Sequence, residues 1–398
     1  MRSQQTEATT GKEVIYEESS YRYQKMITGG VERALNAMLQ RFDYSTTEVD
    51  LYVESLGGEL FDELPKEVNC FQLPTIHKAD AFKHPLLAAK KLNALRKLSL
   101  ERHPYIEQCW LSSQMLMPIN KMYDVAISYH APNTVPVFYV VDSMRANRKI
   151  LWLHGDLETN GGDTELALHY HSQYDHVFAV SLCAQRSFVR FHPEMSQRVS
   201  VFHNFIDAEN IRRQSETGPV FSDEFDGIRL LSIGRLDSQK GFDLAVLSCK
   251  ALIDMGYNIR WYICGEGAYR ATLESMIYEN GLCGRFVLLG NQKNPYGYLK
   301  KCDLYVQTST SEGWCMTTQE ARILHKPCVV TDIPVMHEQF TDGINGIIAK
   351  GTDAAALYAG IMRLLTSPEL TERMIENLKA EPQDGAVEIQ KLYDFLES

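Results

Sequence analysis

Ser311-Glu312-Gly313-Trp314-Cys315-Met316-Thr317-Thr318-Gln319-Glu320-Ala321 follows the apolar run Leu304-Tyr305-Val306 and precedes a helical pattern. The run has the character of a buried strand, and the glycine turn after it feeds straight into the helix. The segment therefore reads as one strand–turn–helix unit of a parallel sheet. Glu312 and Glu320 stand eight positions apart, the first in the turn and the second about one helical turn into the helix. Backbone N–H groups from Gly313 to Thr317 open that helix, and a helix N-terminus favours an anion. The plainer alternative has Glu312 capping the helix and Glu320 as a solvated helix charge.

Outward from this unit, the second half of the chain repeats the same alternation. Strand candidates are Ile228–Ile233, Ile259–Cys264, Phe286–Leu289, Leu304–Gln307, Cys328–Thr331 and Gly346–Ile348, their starts 18 to 31 residues apart. That spacing leaves room for one crossover helix between most neighbours. The first half offers Glu13–Tyr16, Val49–Val53, Val68–Leu73, Val125–Ser128, Ile150–Leu153, His176–Val180 and Val199–Phe202. A polar break at Arg212–Asp226, with Gly218-Pro219 inside it, separates the series. The expected fold is α/β, two Rossmann-like doubly wound parallel sheets in tandem. Ligands bind outside the carboxyl ends of such strands, so two facing sheets would make an inter-domain cleft. The expected division is residues 1–207 and 208–380, with 381–398 as a C-terminal helix, centred on Ile389–Leu396, returning to the first domain.

Two further turns carry chemistry. Leu230-Leu231-Ser232-Ile233 runs into Gly234-Arg235-Leu236-Asp237-Ser238-Gln239-Lys240-Gly241. Arg235 supplies a planar fork and Lys240 a point charge beside exposed backbone N–H groups, the combination a diphosphate needs. Gly265-Glu266-Gly267 follows Trp261-Tyr262-Ile263-Cys264, and glycines there let backbone approach a ligand closely.

Composition narrows the class. The chain has 398 residues and a formal net charge of −11, which argues against general nucleic-acid binding. No apolar run reaches the roughly 18 residues of a membrane span. Met1–Lys12 is polar, without the apolar core of a secretion signal, and reads as a disordered leader. Nine cysteines, dispersed from Cys70 to Cys328 with no Cys-x-x-Cys, suggest reduced core thiols and a cytoplasmic location.

With these motifs in order, the chain resembles the retaining glycosyltransferases of family 4, which have the GT-B fold. The Glu-x7-Glu pair Glu312/Glu320 resembles that family's signature, and Gly234-Arg235 with Lys240 its diphosphate clamp. Gly265-Glu266-Gly267 resembles its nucleotide-side turn, and Asn204-Phe205-Ile206-Asp207 its inter-domain crossover. Gly29-Gly30-Val31-Glu32-Arg33-Ala34-Leu35 is similar to its first glycine loop and helix. The resemblance is close from 228 to about 375 and looser from 27 to 207. It implies that Glu320 accepts hydrogen bonds from ribose hydroxyls, and that Glu312 contacts donor-sugar hydroxyls. Arg235 and Lys240 would neutralise the departing diphosphate, helped by N–H groups near Met316 and Thr317. His154, in Leu153-His154-Gly155-Asp156, matches the histidine facing the donor sugar, and Gly30 would admit the diphosphate or sugar. Gly29, Gly313, Trp314 and Cys315 complete the expected donor-binding set. Trp314 stands where the family commonly has a smaller aromatic residue, and Thr317-Thr318-Gln319 where apolar residues are common.

The expected reaction moves a sugar from a nucleotide diphosphate donor, a UDP-sugar, to a saccharide, lipid-linked or protein acceptor with retention, in polysaccharide or glycoconjugate synthesis. No Asp-x-Asp is present to hold a divalent ion, so fixed cations would stabilise the leaving group, with no metal or other cofactor. Residues 82–103 carry Lys83, Lys90, Lys91, Arg96, Lys97 and Arg102 against Glu101, with Leu87, Leu92, Leu95 and Leu98 at helical spacing. That pattern fits either peripheral contact with the inner membrane face or a crossover helix with snorkelling lysines. Lys91 and Arg102 fall among the leucines and blur the amphipathic face. Two rivals are a sugar-nucleotide epimerase, which needs a different acid/base constellation, and a non-catalytic GT-B subunit, which should have lost donor-site residues.

Overall fold

The computed structural model describes residues 11–16, 29–58, 60–77, 83–100, 103–381 and 386–397. Residues 1–10 of the expected leader, residues 17–28, and Phe82, Glu101 and Arg102 of the basic segment lie outside the described residues. The chain forms two α/β units and has the GT-B fold. One unit holds the described residues up to Phe205 together with the helix Ala386–Glu397; the other runs from Ile206 to Glu381.

The first unit is built on strands β1 (Gly11–Tyr16), β2 (Thr47–Val53), β3 (Asn69–Gln72), β4 (Ile119–Ala131), β5 (Met144–Leu153), β6 (His176–Ala179) and β7 (Val199–Val201). They pair in parallel in the order β3-β2-β1-β4-β5-β6-β7. β4 and β5 start six residues before the candidates Val125–Ser128 and Ile150–Leu153. Lys121 and Asp124 interrupt the apolar pattern there, and the β4–β5 register shifts between Ile119 and Met122. The terminal helix docks on this unit: Leu392 is buried, Phe395 sits 4.5 Å from the His176 ring, and Arg148 donates to the carbonyls of Phe395 and Leu396 at 2.8 and 2.5 Å.

The second unit holds β8 (Ile228–Ile233), β9 (Ile259–Cys264), β10 (Phe286–Gly290), β11 (Leu304–Gln307), β12 (Cys328–Val330) and β13 (Ile347–Ile348), all parallel, in the order β10-β9-β8-β11-β12-β13. Both faces are apolar, as strands covered on two sides require. Leu230, Trp261, Val306 and Val329 fill one face; Leu231, Tyr262, Tyr305 and Val330 fill the other. The order reverses between β8 and β11, so the switch point lies where the turns after those two strands emerge.

One expectation is corrected. The break at Arg212–Asp226 is not a linker over its first part, because Ala208–Thr217 is a helix of the second unit, capped by Asp207 accepting from Asn210 N at 2.9 Å. Its buried stripe is only Ala208, Ile211 and Ser215 among charged neighbours, so helical periodicity was hidden by composition. Among the described residues no helix is long and apolar enough to cross a membrane.

Candidate functional site

The turns after β8 and β9 lie backbone against backbone. Gly234 N donates to Cys264 O at 3.0 Å and Leu236 N to Glu266 O at 2.9 Å. A Cβ on Gly265 would stand 1.8 Å from Gly234 O, and one on Gly267 2.3 Å from Leu236 O. Those glycines are therefore required by the approach of the two turns. Gly241, at φ 61°, does the same against Thr308, whose carbonyl would be 2.2 Å from a Cβ. Thr308 Oγ1 donates to Lys240 O at 2.6 Å and Gln239 Nε2 to Ser311 O at 2.8 Å, tying the β8 turn to the β11 turn. Gly265→Ala should therefore destabilise the protein by roughly 1–3 kcal/mol, as overpacking does, because the obstacle is backbone. An unchanged urea midpoint would contradict this packing.

The two turns bring Lys240 and Glu312 together. Lys240 Nζ lies 2.6 Å from Glu312 Oε1, both side chains largely buried. Burial works against the Lys240 charge, yet Glu312, with smaller contributions from Cys315 and Asp237, holds the ammonium above the ordinary lysine range. Ser309 Oγ donates to the same Glu312 oxygen at 2.6 Å, and Gln307 Nε2 reaches it at 3.3 Å. Arg235 is different. Its side chain is 62% exposed and, among the described residues, is tethered by a 3.4 Å contact of Nε with Asp237, which leaves the guanidinium able to meet an anion from solvent.

The helix Met316–Ile323 starts from Cys315, a buried residue in left-handed backbone at φ 42°. A non-glycine residue there stores strain, and the neighbours hold it: the single Thr318 hydroxyl proton lies between Cys315 O at 2.6 Å and Gln339 Oε1 at 2.5 Å, and Gln339 Nε2 donates to Trp314 O. Neither bland reading of the glutamates survives. Glu312 does not cap this helix, and Glu320 is 4% exposed rather than solvated. Tyr296 donates to Glu320 Oε1 at 3.0 Å. A carboxylate so deeply placed beside a helix N-terminus suits a polar ligand arriving at the carboxyl end of the sheet. Gly313, Trp314, Met316 and Thr317 are all partly accessible around it. Glu266, by contrast, is engaged with Arg270 at 2.5 Å on the surface.

In the first unit, Gly29 caps the helix Gly30–Leu39, and a Cβ on it would stand 2.0 Å from Glu32 Oε2. His154 follows β5; both its ring nitrogens are buried, and the ring lies against Tyr129 at 4.9 Å and His130 at 6.1 Å. Burial, then the neighbouring His130, pushes its pKa well below the ordinary value, so the ring is neutral near pH 7. Two other histidines share this tendency: burial drives both His171 and His176 down to about 4. The unfolded chain takes up these protons near pH 6.5, whereas the folded chain does not until about pH 4. Stability is therefore full above pH 6.5 and falls as the pH drops through that window, His171 alone accounting for on the order of 3 kcal/mol. Urea midpoints at pH 7 and 4.5 should differ accordingly, and His171→Gln should reduce the difference; a flat profile would contradict it.

Sequence reasoning missed Gln307, Ser309, Tyr296 and Gln339. The one available signal was a glutamine closing the otherwise apolar strand Leu304–Gln307.

Residues 222–381 match the family described as Glycosyl transferases group 1. Over 175 residues the chain is 27% identical to N-acetylgalactosamine-N,N'-diacetylbacillosaminyl-diphospho-undecaprenol 4-alpha-N-acetylgalactosaminyltransferase of Campylobacter jejuni, covering 44% of this chain and 46% of that protein. It is also 27% identical over 175 residues to alpha-D-kanosaminyltransferase of Streptomyces kanamyceticus, covering 44% of this chain and 45% of that protein. The chain thus matches less than half the length of each relative. Among solved structures, Anabaena Alr3699/HepE with UDP and glucose has a TM-score of 0.71 at 17% identity, covering 97% of this chain and 99% of that one. The S. aureus TarM structure has a TM-score of 0.66 at 12% identity, covering 98% and 99%. These structures share the fold.

Proposed function

We propose that this chain is a glycosyltransferase that moves a sugar from a nucleotide diphosphate donor, UDP-linked, to an acceptor hydroxyl, with retention and without a metal. The observation that carries the reading is the meeting, at the switch point of the second unit's sheet, of the Lys240–Glu312 pair with the glycine turns, while the buried Glu320 lies in the helix after β11. The group 1 match over residues 222–381 and the fold shared with UDP-bound Alr3699/HepE support it.

In this reading Glu320 receives the ribose hydroxyls, and Arg235, Lys240 and the N–H groups of Met316 and Thr317 take the diphosphate. Glu312 receives sugar hydroxyls. The anomeric C–O bond to the diphosphate breaks, a new one to the acceptor oxygen forms on the same face, and the acceptor proton passes to the diphosphate oxygen. Fixed cations and helix N–H groups oppose the negative charge that develops on the leaving group. The roles of His154 with the donor sugar and Gly30 with the diphosphate rest on the family resemblance alone.

The acceptor is proposed to be a saccharide or lipid-linked saccharide used in cell-surface glycan synthesis, reached from the cytoplasmic membrane face. The printed name of the Campylobacter relative, which includes a diphospho-undecaprenol-linked saccharide, supports this. So does the helix Pro85–Leu100, where Leu86 is 81% and Leu92 70% exposed, near the exposed Lys90, Arg96 and Lys97. Lys91, which blurred the pattern, turns inward and donates to the Ile76 carbonyl. Co-sedimentation should be stronger with anionic than with neutral vesicles and should weaken in the double variant Leu86→Gln/Leu92→Gln.

The decisive experiment is a thermal-shift screen of UDP- and GDP-sugars, followed by acceptor-dependent release of nucleotide diphosphate with and without EDTA. A UDP-sugar should raise Tm by mass action, and release should survive EDTA. Nucleotide-sugar conversion without transfer would favour an epimerase. Binding of no sugar nucleotide would overturn the reading, and activity lost to EDTA and restored by manganese would overturn the metal-free part.

A further inference from the structure

Gln307 ends the strand Leu304–Gln307 with its side chain buried, and a buried amide is costly unless its hydrogen-bonding capacity is used. Here it is used on both sides. Oε1 accepts from the Tyr305 hydroxyl at 2.6 Å and the Thr317 hydroxyl at 3.1 Å; Nε2 donates to Ser309 Oγ at 2.6 Å and Glu312 Oε1 at 3.3 Å. An ionised carboxylate only accepts, so Glu312 dictates which way the amide faces. Ser309 Oγ and Lys240 Nζ also reach Glu312 Oε1, each at 2.6 Å. Three donors thus converge on one carboxylate oxygen, and among the described residues Glu312 Oε2 takes no hydrogen bond.

This arrangement creates a conflict that Gln307 resolves. Lys240 is proposed to neutralise a diphosphate, yet its ammonium is paired with Glu312. A diphosphate competes for that ammonium, and a carboxylate held by Lys240 alone would follow it or swing away. The two neutral donors do not leave. We infer that Gln307 is a positioning residue which, with Ser309, holds Glu312 by Oε1 so that Lys240 can turn to the diphosphate while Oε2 stays presented to the donor's sugar. The inference rests on the glycosyl-transfer reading for the identity of those two ligand groups. Thr317 joins Gln307 to the first turn of the helix Met316–Ile323, so the same amide also ties the carboxylate to the N-terminus that would face the diphosphate.

The test uses Gln307→Met, which removes the polar contacts at nearly constant volume, together with Ser309→Ala. In Q307M, kcat for nucleotide release from a sugar nucleotide should fall about tenfold or more, while the Kd of free UDP, measured by calorimetry, stays within about threefold. A merely structural role predicts equal losses in both, and that result, or an unchanged kcat, overturns the inference. The double variant Q307M with Glu312→Gln should lose little beyond E312Q alone, because both changes remove one unit. If Q307M does not fold, S309A carries the same comparison with the same direction expected. Crystal structures of the UDP complexes decide independently of turnover: with Lys240 turned to the diphosphate, Glu312 should change rotamer in the variants but not in the wild type, and a wild-type rotamer in the variant complexes overturns the inference. Wild-type protein that turns over no sugar nucleotide would dispose of the transfer reading, leaving the rotamer comparison to decide positioning.

Discussion

Lys240→Met is expected to lower kcat for transfer by roughly 10²–10³, the usual cost of removing one fixed group that stabilises developing charge. Charge on the diphosphate grows as the anomeric bond breaks, so the ammonium matters more in the transition state than in the bound donor. Donor KM should therefore rise much less than kcat falls. The methionine keeps the stem that packs along the β8 turn, where a Cβ on Gly234 would meet Lys240 Cδ at 3.4 Å. The loss would then report the charge rather than the packing. Because Glu312 and its neighbours hold the ammonium of the free protein above the ordinary lysine range against the effect of burial, wild-type kcat/KM should show no alkaline limb from Lys240 up to about pH 10. Initial rates for the wild type and the variant across about pH 6–10 check both statements. A KM effect without a kcat effect would assign Lys240 to ground-state binding alone.

Glu320→Gln should act in the opposite sense, weakening the binding of free UDP by roughly 30- to 150-fold, equivalent to about 2–3 kcal/mol of charge-assisted hydrogen bonding. The ribose does not change charge during reaction, so its contacts are alike in ground and transition states and kcat should change little. Glu312→Gln is the internal control. Free UDP has no sugar, so its Kd for that variant should stay near wild type while kcat with the full donor falls. Tyr296→Phe tests the support of Glu320, since the Tyr296 hydroxyl donates to it at 3.0 Å; its effect on UDP binding should be smaller than that of E320Q. Calorimetry on the four proteins is sufficient. Equal weakening in E320Q and E312Q, with intact cooperative unfolding, would mean that the two carboxylates do not serve different ends of the donor.

The sequence by itself determined the architecture and singled out the turns after β8, β9 and β11. Apolar strand runs at crossover spacing are local signals, and burial on both faces keeps them mostly apolar after a single early arginine, as in Ile228–Ile233 and Ile259–Cys264. Gly265 and Gly267 were legible for a related reason, since close backbone approach admits only that residue. Signals failed where polar residues hid periodicity, as in the helix Ala208–Thr217 and the amino halves of β4 and β5. The state of each carboxylate belonged to the tertiary structure. Nothing in the spacing of Glu312 and Glu320 says that one pairs with Lys240, 72 positions away, while the other is buried against Tyr296, 24 positions away. Those contacts arise because parallel pairing of β8 with β11 aligns the turns after both strands, and long-range register leaves no local trace. The same holds for Gln307, whose four hydrogen bonds exist only once Tyr305, Ser309, Glu312 and Thr317 are folded around it. Residue type can indicate that a polar group needs partners, but only packing decides which ones it finds.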